Sequence, residues 1–251
     1  MAAPLARFPT RKMIDSVLNF LFPVACIICG LPVLERRHSS VCPACWNTLE
    51  PVPQPICPRC GAPEAAIEDR CIHCRTGGTV FDFARSAVLF NDTAREIVHH
   101  LKYSDRVSLA NPIGMRLRQT LKEGFEGRLV IPVPLHRSRE RERGYNQAEL
   151  IAVTLGLPVA SRLIRRRKKT PTQTGLSRSQ RAHNLSAAFE LRADVDGMTV
   201  ILVDDVLTTG ATMNELSRVL KRGGASRVEV LTFARVADGI SRRSRPSAHL
   251  P

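Results

Sequence analysis

Two carboxylates, Asp204 and Asp205, close the apolar run Val200–Val203, and Thr208, Thr209, Gly210, Ala211 and Thr212 follow two residues later. The second stretch carries little side-chain bulk and three hydroxyl donors. A helix-like run begins there, so its first backbone N–H groups have no intrahelical partner, and the helix dipole adds partial positive charge. Gly210 lets a ligand approach the main chain closely. Such a loop suits a phosphate dianion. Carboxylates repel phosphate, so the acid pair serves a neighbouring diol or helps to hold Mg²⁺. Phosphate, diol and magnesium together describe a ribose 5-phosphate that carries further phosphates. A solvated Asp pair at an ordinary strand end is the plain alternative, and the complete pattern argues against it.

A second set of chemical groups lies near the other end of the chain. The 8 Cys all fall in C-x-x-C pairs: Cys26 with Cys29, Cys42 with Cys45, Cys57 with Cys60, and Cys71 with Cys74. A tetrahedral zinc ion takes four thiolates, and each C-x-x-C turn offers two, so the spacing predicts two structural zinc sites. Gly30 and Gly61 follow the first and third pairs, as a knuckle turn requires. Neighbouring pairs are expected to share a metal; an interleaved cross-brace stays open. Disulfides of an exported chain and redox C-x-x-C sites are the competing uses, and neither explains four tandem pairs as well. His73 is expected at the surface, not as a ligand, and Trp46 is expected to pack on a knuckle.

The elements that position these groups are legible from periodicity. Val200–Val203 reads as a strand buried on both faces. Met213, Leu216, Val219 and Leu220 recur at helical spacing, with Gly223 and Gly224 as the stop. Arg227–Val236 reads as the next strand. This is the β-turn-α-β unit of an α/β fold with a doubly wound parallel sheet, whose ligands bind beyond the carboxyl ends of the strands. Upstream, Phe83–Arg106 reads as a strand, a turn capped by Asn91 or Asp92, and a helix. That helix ends at Lys102 and Tyr103, near the rim of the site. His99 and His100 are adjacent and so do not share a helix face. Leu129–Ala152 reads as a strand, a basic loop and a helix from about Asn146. Thr170–Leu191 is polar and precedes the Asp-Asp strand.

Composition sets outer bounds. The 251 residues suffice for one domain and a smaller module. With 37 basic and 23 acidic residues the net charge is +14, which favours polyanionic partners. No apolar run approaches the ~20 residues of a membrane span. Lys12–Phe22 is read as a short amphipathic helix of the protein itself, and residues 238–251 as a polar, disordered tail.

The hydrophobic strand, the Asp-Asp pair and the Thr-Thr-Gly-x-Thr loop resemble the phosphoribosyl pyrophosphate (PRPP) motif of type I phosphoribosyltransferases. That resemblance implies that Asp204 and Asp205, the catalytic pair, meet the ribose 2′ and 3′ hydroxyls. It gives Thr208, Thr209, Gly210, Ala211 and Thr212 the 5-phosphate. It also gives the basic loop after the Leu129 strand, with Arg137, Arg139, Arg141 and Arg143 as a group, the pyrophosphate. A mobile loop with Gln173, Arg178, Arg181 and Asn184 would close over the site. The C-x-x-C ribbons together with "LKY", "PVPL", "RERGYNQAE", "TPTQTGLSRSQRAHNLSAAF" and "LVDDVLTTGAT" further resemble the ComF family. This implies an N-terminal segment over 1–22, a double zinc ribbon over 23–78, a phosphoribosyltransferase-like domain over 79–237 and a tail over 238–251. Implied too are two Zn²⁺, Mg²⁺ with PRPP, a cytoplasmic site, and a role in DNA uptake through single-stranded DNA and the uptake machinery. A small-molecule phosphoribosyltransferase with an unknown acceptor is the alternative. Aromatic residues are few, 2 Tyr, 1 Trp and 9 Phe, so no base-stacking platform stands out.

Overall fold

The computed structural model describes residues 24–33, 40–63, 71–167 and 188–237. The Lys12–Phe22 helix, the loop residues Gln173, Arg178, Arg181 and Asn184, and the tail all lie outside the described residues.

The apolar runs form one parallel sheet. Its strands are β3 (Phe83–Leu89), β4 (Leu129–Pro132), β7 (Thr199–Leu207) and β8 (Arg227–Arg235), in the spatial order β3-β8-β7-β4. Two-residue strands β1 (Val24–Ala25) and β2 (Pro32–Val33) pair in the first ribbon, and β5 (Ile164–Arg166) pairs antiparallel with β6 (Phe189–Leu191). Pairing of β7 with β8 runs from Thr199–Arg227 to Leu207–Arg235. Side chains alternate between two apolar clusters: Ile201, Val203, Leu231 and Phe233 on one face, Val200, Leu202, Val228 and Val230 on the other. Both faces are covered, which is why β4 and the first half of β7 read as continuous apolar runs instead of alternating ones.

Among the described residues the α-helices are α1 (Pro43–Asn47), α2 (Ile72–Arg75), α3 (Asp92–Tyr103), α4 (Ala110–Thr120), α5 (Arg137–Arg143), α6 (Gln147–Val153) and α7 (Ala211–Arg222). Asn91 caps α3 by accepting from the Ala94 N–H at 3.0 Å, and Asn146 caps α6 by accepting from Ala148. The expected basic loop is instead helix α5, which His136 caps at its start and Gly144, at φ 81°, ends in the left-handed region. Alternating Arg and Glu are good helix formers, and the cap and stop were both in the sequence. Strand β7 also runs past its expected end, so Asp204 and Asp205 lie within it.

The two ribbons take opposite faces of this sheet. Cys26, Cys42, Cys45 and Trp46 share an apolar cluster with α3, α4 and Phe233; Cys57, Cys60, Cys71 and Cys74 share the other with α7. Trp46 meets Phe233 edge to face at 6.4 Å, so it packs as expected. Between the ribbons the chain crosses beside edge strand β3, where Leu89 N–H donates to Glu50 O at 2.8 Å and Ala84 N–H to Arg59 O at 2.7 Å. At the other edge Val130 N–H donates to Pro158 O, and Ala160 N–H returns to Val130 O.

Candidate functional site

The site lies at the carboxyl end of β7. Successive residues of a strand face opposite ways, so the acid pair is split. Asp205 is 2% exposed and points toward α3, where its Oδ1 accepts from Lys102 Nζ at 2.8 Å. Its other oxygen, Oδ2, is buried without a hydrogen-bond partner among the described residues. An orphan buried acceptor costs ~1–3 kcal/mol, so it marks a place for a donor or a cation. Asp204 is half-buried and accepts from the Asp205 N–H at 2.9 Å. Burial and the neighbouring Asp205 charge push the Asp204 carboxyl up to about 7, against the pull of Lys102 and Arg166. Burial works against the Lys102 charge, but Asp205 and Asp204 outweigh it and hold the ammonium above the ordinary lysine value. Sequence reasoning placed Lys102 only at a helix end near the rim; the structure pairs it with Asp205.

Beyond β7 the chain turns through Thr208 and Thr209 to Gly210, whose φ of 73° lies in the left-handed region, and α7 begins at Ala211. Ala211 and Thr212 therefore belong to the first helical turn. Thr209 Oγ1 is buried without a partner among the described residues. A cavity of about 290 Å³ opens beside this loop, lined by Thr208–Gly210, by Phe81 and Arg235, and by Cys60, Cys71 and His73 of the second ribbon.

The arginines divide. Arg137 and Arg141 are exposed on α5, and Arg143 bonds to Gln147 Oε1 with its guanidinium 5.1 Å from the Tyr103 ring centroid. Arg166, on β5, senses the crevice most directly: burial and the Arg139 charge hold it below the ordinary arginine value, while Asp204 opposes them. Arg166 therefore interacts with Asp204, and Arg139, one of the expected group Arg137, Arg139, Arg141 and Arg143, interacts with Arg166. Arg167 pairs with Glu190 at 3.3 Å across the β5–β6 ladder, at the base of the loop expected to close.

Each ribbon gathers four thiols. Cys26, Cys29, Cys42 and Cys45 form one tetrad, and Cys57, Cys60, Cys71 and Cys74 the other, with all four sulfurs of each within 4.8 Å of one another. Neighbouring pairs thus share a site, as the spacing predicted. Sulfurs on a tetrahedral zinc lie about 3.8 Å apart for Zn–S of about 2.3 Å. The separations Cys29–Cys42 of 3.7 Å and Cys60–Cys71 of 3.5 Å fit that ion. Burial pushes the Cys26 thiol up, but backbone N–H bonds from Cys29, Cys42 and Ile28 outweigh it and set it at about 6. Cys57 is held at about 7 in the same way, by Cys60, Cys71 and Arg59. Such sulfurs are ready to ligate as thiolates. His73 stays outside both tetrads; its half-buried ring packs against Gly78.

Comparison with known proteins agrees with this geometry. Residues 142–250 match a phosphoribosyl transferase domain and residues 17–75 a double zinc ribbon domain, which with the two tetrads supports structural zinc. The DNA utilization protein YhgH of Salmonella typhimurium is 32% identical over 223 residues, 85% of this chain and 97% of that protein. Competence protein F of Haemophilus influenzae is 30% identical over 233 residues, 87% of this chain and 100% of its own length. For competence protein ComFC of Bacillus subtilis the identity is 30% over 217 residues, 80% of this chain and 87% of that one. Among solved structures, a hypoxanthine phosphoribosyltransferase from Staphylococcus aureus is similar over 50% of this chain and 62% of its own, at 15% identity and a TM-score of 0.31. Among the described residues no helix is long and apolar enough to cross a membrane.

Proposed function

The chain belongs to the ComF family, and from that premise we propose that it binds PRPP with Mg²⁺ at the carboxyl end of β7 and acts in the cytoplasm in DNA uptake, holding single-stranded DNA near the same crevice. The observation that carries the ligand reading is the orphan Oδ2 of Asp205, on the strand end that also bears the half-buried Asp204 and leads into the Thr208–Thr212 loop. A ribose diol supplies the missing donors, and its 5-phosphate meets the loop's N–H groups at the start of α7. Lys102 donates to Oδ1 of Asp205 at 2.8 Å and leaves Oδ2 for the ligand. Arg166, which interacts with Asp204 and Arg139, joins Arg137, Arg139, Arg141 and Arg143 as a candidate for the pyrophosphate charge, and Gln173, Arg178 and Arg181 are the candidates from the closing loop. Bound Mg²⁺ would neutralise part of the pyrophosphate charge.

The DNA part rests on the relatives, named a DNA utilization protein and competence proteins, and on the net charge of +14. Partners from the uptake machinery belong to the same reading. Because Arg166 of β5 interacts with Asp204 at the crevice, PRPP and DNA should compete where they share that basic side chain. A second reading, transfer of phosphoribose to a small acceptor, draws on the 290 Å³ cavity beside the loop. Release of pyrophosphate from PRPP with a panel of bases would favour it.

Calorimetry with PRPP and Mg²⁺ tests the site. Asp204→Asn with Asp205→Asn should keep the fold and lose one to several decades of affinity, at ~1.5–3 kcal/mol per contact to a charged acceptor. Equal binding by wild type and double variant would overturn the assignment. In the same samples, single-stranded DNA should be displaced by PRPP, and its affinity should fall with salt at a log–log slope of about −0.7 per phosphate neutralised.

A further inference from the structure

The second tetrad is tied to the phosphate loop by a continuous set of bonds. Cys74 Sγ lies 3.3 Å from Thr79 Oγ1. On either side of Thr79, the Asn214 side chain holds the main chain: its Oδ1 accepts from Val80 N–H at 2.8 Å, and its Nδ2 donates to Gly78 O at 2.7 Å. Asn214 is buried in the first turn of α7, and its own N–H donates to Gly210 O at 2.8 Å. From the other side Arg235, at the end of β8, donates through Nη1 to Cys60 O at 2.7 Å. Phe81, 3% exposed, fills the space beneath Gly210 and joins Cys60, Cys71 and His73 in the wall of the cavity. Gly61 of the knuckle sits so close to β3 that a Cβ there would meet Ala84 O at 2.8 Å. The knuckle is thus in direct contact with the sheet and bonded through Asn214 to the start of α7.

The first tetrad has different neighbours. Its segment bonds to α3, α4 and β3, through Thr48 to Thr93 at 2.8 Å, Trp46 O to Arg116 at 3.4 Å, and Glu50 O to Leu89.

We infer that the second zinc ribbon is a structural wall of the phosphate-binding loop, with Asn214 as the positioning residue that joins them, so that metal at Cys57, Cys60, Cys71 and Cys74 sets affinity for the phosphorylated sugar while metal at the first tetrad does not. This rests on the PRPP reading of the loop. Anion recognition by backbone N–H groups depends on their being held in place before the ligand arrives, and a loop whose strap is loosened spends part of its binding free energy on ordering.

The test uses the full zinc-loaded chain and two variants. Asn214→Ala cuts the strap without touching a thiolate; Cys29→Ser removes the exposed ligand of the first tetrad. Three quantities are read: zinc per chain, amide exchange of residues 208–212 without ligand, and the PRPP dissociation constant. Asn214→Ala should keep two zinc ions, exchange the loop amides at least about tenfold faster and weaken PRPP about tenfold. In Cys29→Ser, zinc should fall and both loop readouts stay unchanged. Should Asn214→Ala not fold, Asn214→Asp keeps the acceptor for Val80, loses the donor to Gly78, and carries the same comparison. Unchanged loop exchange in the strap variant, or equal acceleration in Cys29→Ser, overturns the inference. If the exchange pattern is as expected and wild type does not bind PRPP, the coupling stands and the ligand reading falls.

Discussion

The acid half of the crevice and the phosphate half share strand β7, yet they are held by different forces. Asp205 depends on a buried charge pair with Lys102, whereas Thr208–Gly210 depends on amide and backbone hydrogen bonds from Asn214 and on apolar support from Phe81. Charge pairs are strong in a dry site and fail together when one partner is removed. Neutral hydrogen bonds are individually weaker and do not titrate. The acid half should therefore be the part of the molecule most sensitive to substitution and to pH, and the loop half the part that tolerates both.

The largest expected effect comes from breaking the pair. Lys102→Met leaves Asp205 buried with neither oxygen bonded to a cation, and loss of one partner of such a pair costs ~3–5 kcal/mol. The Lys102 side chain is 23% exposed, which favours the lower end. Urea unfolding should show the loss, and adding Asp205→Asn should restore most of the stability without restoring PRPP affinity. A loss below ~1 kcal/mol would place the pair among ordinary surface ion pairs and dissolve the contrast.

A smaller effect follows from pH. The Asp204 carboxyl is raised to about 7, chiefly by burial. A raised carboxyl is a cost to folding that appears as pH climbs from the unfolded value toward 7, because the folded state holds the proton longer. Asp204→Asn should therefore stabilise the ligand-free protein most above about pH 7, with the gain fading toward pH 4. Diol and Mg²⁺ contacts need the ionised form, so PRPP affinity should rise as pH passes through 7 and level off above it. The Asp204→Asn profile should lose that step. A wild-type profile with no inflection near neutrality would remove charge from the account of this half.

Least of all should come from the loop. Gly210→Ala places a side chain at φ 73°, with Phe81 and Leu207 at ordinary contact distance. The backbone term alone remains, about 1 kcal/mol. Thermal unfolding would register it as a modest shift; a collapse of the fold would mean that the loop is as brittle as the acid pair.

What could be read from the sequence follows the same division. The phosphate loop, the acid pair and the thiol tetrads are contiguous or regularly spaced, so residue type and spacing sufficed. The parallel sheet was legible because Val200–Val203 is apolar without alternation and is followed by a helix-spaced run and a second strand-like stretch, Arg227–Val236. Helix α5 was missed because its alternating charges carry no apolar stripe, although His136 and Gly144 marked its ends. Arg166 and Asn214 were not assigned to the site, and Lys102 was placed only at its rim, since each reaches it from a distant element. Asn214 in particular reads as an ordinary polar residue of a helix start; only the return of the chain past Gly78 gives its amide two partners.

The chain segment that crosses beside β3 has a consequence for behaviour in solution. An outer strand with unpaired main-chain groups is a template on which another chain can add itself. Here Ala84 and Leu89 of that strand already donate to Arg59 and Glu50, and the segment that supplies those oxygens is pinned at both ends by cysteine tetrads. The opposite border is closed by residues around Pro158. Metal at the ribbons thus also guards against self-association: chelation should unmask β3 and turn a monodisperse solution turbid, with the rise in light scattering following zinc release, not preceding it.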